Sequence, residues 1–275
     1  MANPNKLFLA NISDWVIGKS FNLQSDTLEL PIVLKIENGK RKIEDIANMF
    51  SGIKVYEVGK GSPSQTEKIR DTKPYTSEKK ESKGWYVFYD GKDIGRYQLN
   101  WNKNNWIQYG KWLAAPREPE NFDGEKILIR KIIGKTLIST YIPTTSYCNT
   151  LLFVLKLKIK IYSYKSILGI LNSTLIGWYF RKKFQISNED TFPQIMIRDI
   201  LQFPIPEINS KFDSELNKYV DLLLKLNEEI KEEKLQTKIE QIKQRIEHSE
   251  EKINELVYEL YELTSEEIKI VEGDK

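Results

Sequence analysis

Two periods run through the apolar positions of this chain: mainly a two-residue alternation up to about residue 161, and a helical spacing beyond it. Residues 31–36 (PIVLKI) predict a strand with the Asn38-Gly39 turn signal behind it, and residues 42–49 predict a short helix. An alternating strand follows, with Ile53, Val55 and Val58 facing inward and Lys54 and Tyr56 on the other side. Residues 61–84, rich in Gly, Pro, Ser and Lys, predict a long surface loop of the kind that is functional or mobile. WYVFY (85–89) is a strand closed by Asp90-Gly91, and DIGRYQLNW (93–101) resumes an extended pattern.

The stretch around which the rest is arranged is FDGEKILIRKII (122–133). Ile127, Leu128, Ile129 and Ile132 are interrupted by Lys126, Arg130 and Lys131, which predicts a buried strand carrying cations outward at both ends. In LLFVLKLKIKIY (151–162), Leu155, Leu157, Ile159 and Ile161 fall on one face and Lys156, Lys158 and Lys160 on the other. Ser163 is expected to cap a helical segment over 164–184, with Arg181, Lys182 and Lys183 at its C-terminal end, and FPIP (203–206) to stop regular structure. From residue 211, Leu216, Val220, Leu223, Leu224, Leu226 and Ile230 mark one amphipathic helix; Ile239, Ile242, Ile246, Ile253, Leu256, Val257 and Leu260 mark a longer one. KEEKLQT (231–237), without Gly or Pro, leaves a helical hairpin and a single coiled-coil-like rod both open. The fold class expected is mixed α/β (α+β), with a lead-in over 1–30, a body with a mixed sheet and packed helices over 31–206, and a helical region over 207–275.

Charge divides the chain at the same place. The net +3 splits into +10 for residues 1–210 (31 Lys and Arg against 21 Asp and Glu) and −7 for residues 211–275 (11 against 18). A basic body suits a polyanionic partner, whereas the acidic helices would be repelled by phosphates and suit a protein. The single Cys148 excludes an internal disulfide and points to a reducing cytoplasm. No leader pattern or membrane-spanning run is read, so a cytoplasmic protein without membrane contact is expected.

Catalytic constellations are scarce. His248, the one histidine, lies among Glu247, Glu250 and Glu251 on a helix face, which argues against Ser-His-Asp, Cys-His and two-histidine metal sites. There is no GxxxxGK[ST] loop and no GxGxxG after a strand. Asn3-Pro4-Asn5 resembles the Asn-Pro-Pro-Tyr signature of DNA amino-methyltransferases only superficially, without its second proline and aromatic and with no strand before it. Asp71, Glu78 and Lys80 have the residue types of a metal-dependent nuclease but no flanking strand. The joint excess of Lys and Arg, interleaved with Trp85, Trp101, Trp106 and Trp112, favours nucleic-acid recognition over chemistry.

In order along the chain, SGIKVYEVGKG with SQT, DIGRYQLNW, WIQYGKWLAAPREPENFDGEKILIRKIIG, YKSILGILNSTLIGWYF, FPIP and INELVYELYELTSEEIKIVE resemble the TaqI-like C-terminal specificity domain of type IIG restriction-modification enzymes, over roughly residues 45–272. The resemblance implies a module that reads a short duplex sequence while a separate methyltransferase or nuclease region does the chemistry. S-adenosylmethionine and Mg would belong to that partner, and no cofactor is expected in this chain. By the same resemblance, the strands GIKVY and KILIR put Lys54, Tyr56, Arg130 and Lys131 on the DNA-facing surface. Position and chemistry add Arg96 and Tyr97, Thr145 and Tyr147 of the 144–147 loop, and Lys60 and Lys182. The expected partners are double-stranded DNA, the methyltransferase or nuclease region, and a second copy through the C-terminal helices. The rival readings are a nuclease built on Asp71, Glu78 and Lys80, and a protein-protein scaffold.

Overall fold

The computed structural model describes residues 28–184 and 194–273. Most of the 1–30 lead-in, including Asn3-Pro4-Asn5, lies outside the described residues.

The first described element corrects the sequence reading, because residues 31–36 belong to a helix, α1 (Glu29–Glu37), and not a strand. Pro31 stands in the first turn, where a missing N–H breaks no intrahelical bond, and Ile32 and Ile36 lie four apart and are both buried. A short apolar run satisfies either period, and tertiary packing decides between them. A two-residue strand β1 (Arg41–Lys42) and a one-turn helix α2 (Ile43–Ile46) lead into β2 (Ala47–Ser51), so the helical spacing over 42–49 is obeyed for one turn only. The strand expected over 53–58 is reduced to isolated bridges of Ile53 with Asn149 and Lys54 with Ala115; Ile53 and Val55 are buried as expected, whereas Val58 is exposed. The polar stretch 61–84 is not all loop. It holds α3 (Glu67–Thr72), capped by the Thr66 hydroxyl, and β3 (Thr76–Ser77).

After β4 (Trp85–Tyr89), a 3-10 turn at Gly91–Asp93 precedes the hairpin β5 (Ile94–Gly95) and β6 (Gln98–Leu99), with Arg96 and Tyr97 at its tip. Then come β7 (Trp106–Gln108), β8 (Lys126–Arg130), β9 (Ser139–Ile142), β10 (Tyr147–Cys148) and β11 (Leu152–Leu157). The alternation read through Ile161 stops at Leu157: Lys158 N–H still meets the Ile46 carbonyl in the same register, but Ile46 already belongs to α2 and offers no further strand to pair with, and Ile161 is 63% exposed. That helix is two helices. Ser163 caps α4 (Tyr164–Asn172), and Ser173 ends it while accepting from the Ile176 N–H to cap α5 (Thr174–Lys183). Beyond α6 (Ile197–Leu201), FPIP does not end regular structure, since β12 (Pro204–Ile205) pairs with β1. The chain closes with α7 (Ser210–Glu232), α8 (Gln236–Leu260) and α9 (Ser265–Glu272), the last not read from the sequence as a helix.

The architecture is three-layered. An antiparallel central sheet, in the order β2-β11-β8-β9, is buried on both faces, which explains the near-continuous apolar runs ILI and LLFVL. Ile127, Ile129, Phe153 and Leu155 pack toward α4 and α5, and the same core takes in Leu216, Val220 and Leu223 of α7 and Ile253 and Val257 of α8. Leu128, Ile142, Leu152 and Val154 face a second sheet, β10-β4-β7-β3, through Phe88, Tyr89, Ile107, Tyr147 and Cys148. Fully burying one such aliphatic or aromatic side chain is worth about 1.5–3 kcal/mol, so both faces of the sheet contribute strongly. At the α7–α8 junction the Glu233 carboxylate accepts the Lys234 and Leu235 N–H groups, and the two helices fold back as a hairpin. The rod is thereby excluded.

Candidate nucleic-acid interface

The register of the central sheet gathers cations at one end. Arg130 pairs with Leu152, Lys131 N–H bonds the Leu151 carbonyl, and Gly52 N–H bonds the Leu152 carbonyl. The ends of β8 and β2 therefore emerge beside the start of β11; Arg130 and Lys131 leave the sheet there, and Lys54 follows three residues beyond β2, its backbone bonded both ways to Ala115. Gly52 permits this approach, since a Cβ at its position would lie 2.0 Å from the Asn149 carbonyl oxygen. The β8–β9 loop adds Lys135. Arg181 of α5 reaches the same loop, donating to the carbonyls of Gly134 at 2.5 Å and Lys135 at 3.2 Å. Gly177 allows α5 to come so close, because a Cβ there would lie 2.8 Å from the Lys135 carbonyl oxygen.

Within this group, Arg130 and Lys131 have no acidic partner among the described residues, and the Lys131 ammonium lies 5.3 Å from the centre of the Phe153 ring. Lys54 forms an exposed pair with Glu57 at 2.8 Å. Such a pair is worth little and opens readily for a phosphate.

The other expected contacts are dispersed. Lys60 is exposed on a loop that the buried Gln65 ties to Val55 and Trp112. The Tyr56 hydroxyl accepts the Tyr75 N–H at 2.8 Å and lies 3.1 Å from the Thr76 hydroxyl, so its polar tip is committed to the fold. Arg96 points to the helices, 3.3 Å from the Glu250 carboxylate. Tyr97 is 1% exposed and held in left-handed backbone at φ 52°, its phenol pKa pushed up by burial. Tyr147 is 4% exposed and stacked on Tyr109 at 4.6 Å, so Tyr97 and Tyr147 offer almost no ring surface to a partner. The Thr145 hydroxyl accepts the Gly124 N–H at the opposite end of the sheet. Lys182 is 2.6 Å from Glu29.

Lys126 corrects the expectation that β8 turns cations outward at both ends. Its side chain is buried, and its ammonium donates to the carbonyls of Phe122, Gly124 and Thr144 at 2.8, 2.9 and 2.6 Å. Three donors meet three acceptors, which offsets part of the cost of burying the charge. Burial pulls its pKa down to about 8 and lifts the Cys148 thiol to about 12. Pattern reasoning places lysine outside, and only the returning 143–146 loop reveals the trap.

The residues considered for catalysis do not assemble. Asp71 is bound to its neighbour Arg70 at 2.8 Å, and Lys80 lies 5.6 Å from the Trp106 ring centre. Among the described residues no three His, Cys, Asp or Glu side chains are grouped so as to hold a metal ion. His248 is exposed on α8, 3.9 Å from Glu251. No described helix is long and apolar enough to cross a membrane.

Comparison with known proteins agrees with the sequence resemblance. Residues 86–205 match the family model of the TaqI-like C-terminal specificity domain. Over 163 residues the chain is 28% identical to a protein of Methanocaldococcus jannaschii named "Putative type II restriction enzyme and methyltransferase", covering 57% of this chain and 14% of that protein. Among solved structures, the type IIL restriction-modification enzyme MmeI in complex with DNA superposes with a TM-score of 0.55 at 14% identity, over 85% of this chain and 36% of that one. The HsdS subunit from Thermoanaerobacter tengcongensis gives a TM-score of 0.39 at 11% identity, over 84% of this chain and 50% of that one. The chain thus spans one seventh to one half of the length of these relatives. The likeness to MmeI is one of fold. The segment 86–205, under half of the chain, is thus similar to the TaqI-like C-terminal specificity domain.

Proposed function

We propose that this chain is the duplex-DNA recognition module of a restriction-modification enzyme, directing a separate methyltransferase or nuclease region to its site and doing no bond chemistry itself. The observation that carries the reading is the cationic end of the central sheet, within a chain whose central segment matches a specificity-domain family. Arg130 and Lys131, without acidic partners among the described residues, are the primary contacts; Lys54, Lys135 and Arg181 extend the surface, and Lys60 and Thr145 are outlying contacts. Arg is suited to bidentate pairing with guanine and Lys to phosphate. The body over 31–206 would hold the DNA and the helices over 207–275 would dock the catalytic region in the cytoplasm, their acidic surface being poorly suited to phosphates. S-adenosylmethionine and Mg are assigned to that catalytic region.

The test is selection of bound sites from a random duplex library, followed by titration at several salt concentrations. A defined short preference is expected, with affinity falling steeply as salt rises because counterions are released from the neutralised phosphates. A flat salt response with no enriched sequence would overturn the reading.

A further inference from the structure

At the end of the central sheet opposite Arg130 and Lys131 there is a cleft of about 670 Å³ that duplex recognition leaves unused. Tyr141 of β9 and Tyr164 of α4 line it with ring centres 6.1 Å apart, and Lys158, Lys160 and Lys165 line it with one carboxylate, Glu125. The balance of charge there can be followed residue by residue. Glu125 accepts the Tyr141 hydroxyl, and Lys165 is paired with Asp221 at 2.7 Å. The Lys158 ammonium is held by a neutral group, the Glu44 carbonyl, at 2.6 Å, and the exposed Lys160 has no acidic partner among the described residues. Two positive charges are therefore left without a carboxylate beside an aromatic floor. The Tyr164 hydroxyl accepts the Leu157 N–H and keeps its own proton to donate.

We propose that this cleft binds an unpaired segment of a DNA strand, with phosphates on Lys158 and Lys160 and a base against the Tyr141 or Tyr164 ring. Bases stacked within a duplex show their faces to neither ring, whereas single strands combine phosphate contacts with stacking on aromatic side chains in this way. The cations and the rings come from one short segment, residues 158–165, and the adjoining strand β9, so the arrangement is fixed by the fold. An acidic peptide would use the lysines and leave the rings without a matching partner.

The test uses the full chain and fluorescence anisotropy with a short labelled thymidine oligonucleotide, its abasic counterpart and a duplex. The single strand is expected to bind, the abasic strand to bind about 10-fold more weakly through loss of stacking, and the Lys158→Ala/Lys160→Ala double variant to bind the single strand at least about 10-fold more weakly. Both lysines are exposed and the variant gives up only one exposed bond, Lys158 to the Glu44 carbonyl, so it should melt close to the wild type, and its duplex affinity should change less than about threefold. Equal binding of the abasic strand, unchanged single-strand binding by the double variant, or displacement of the oligonucleotide by polyglutamate would each overturn the assignment. A wild-type chain that binds duplex and not the single strand sinks this inference alone; one that binds neither also sinks the recognition reading.

Discussion

The Arg96 guanidinium lies 3.3 Å from the Glu250 carboxylate, joining the tip of the β5–β6 hairpin to the middle of α8. A second tie runs beside it, from the Lys231 ammonium of α7 to the Leu99 carbonyl. The sheet-bearing body and the acidic helices are thus locked together by a charge pair as well as by the shared apolar core. Both partners are somewhat under one-third exposed, and burial raises the Glu250 pKa while Arg96 lowers it.

Replacing Arg96 with alanine should cost about 1–2 kcal/mol, less than a fully buried pair, because solvent still screens the site. The pH dependence has a definite sign. Without Arg96 the Glu250 pKa rises further in the folded state, so the variant loses stability relative to wild type as pH climbs through and above the ordinary carboxylate range. Melting curves at pH 4 and pH 7 check this; a deficit that is larger at pH 4 would contradict it.

Much of the fold is legible in the sequence where one period dominates. WYVFY and KILIR are strands, and Ser163 is the helix cap, because residue type and periodicity agree there. The failures are places where distant residues decide. PIVLKI is a helix because its isoleucines meet a core assembled from residues far along the chain. The single helix read over 164–184 breaks where Ser173 closes one helix and caps the next. For the site, the excess of cations is legible, but which of them are engaged is not: Lys182 finds Glu29 across 153 residues, and Arg96 finds Glu250 on α8. Tyr97 and Tyr147 looked like loop residues and are core, since their rings fill the space between layers.

Lys126 offers a test of the buried-charge geometry. Substitution by methionine removes a costly buried cation but strands three carbonyls, and the net loss should be about 1–3 kcal/mol at pH 7. In the wild type the folded chain releases this proton near pH 8, while the unfolded chain holds it to about 10.5. The unfolded state binds more protons in between, so wild-type stability gains from this group as pH rises from 8 to 10.5, and the variant lacks that gain. Urea titrations of both proteins at pH 7 and pH 9.5 should show the gap widening at the higher pH; a constant gap would mean that Lys126 titrates normally.

Gly52 should tolerate no side chain. A Cβ there meets the Asn149 carbonyl oxygen at 2.0 Å, and both belong to backbone hydrogen-bonded to its surroundings, so neither can yield cheaply. Gly52→Ala is expected to cost about 1–3 kcal/mol and to loosen the sheet end from which Lys54 and Lys131 project. A thermal shift of less than a degree would show that the strands part more easily than this packing implies.

Salt dependence separates cations that meet DNA from those that hold the fold. If Arg130 and Lys131 each neutralise a phosphate, the Arg130→Ala/Lys131→Ala variant should bind duplex more weakly, and the slope of log affinity against log salt should fall by about 2 in magnitude. The Lys182→Ala substitution removes a partner of Glu29 and should leave that slope unchanged, its effect appearing instead as a modest loss of stability. Measured side by side in one buffer series, the two variants have opposite signatures. A slope that drops for Lys182→Ala and holds for the double variant would move the DNA from the sheet end toward the C-terminal end of α5.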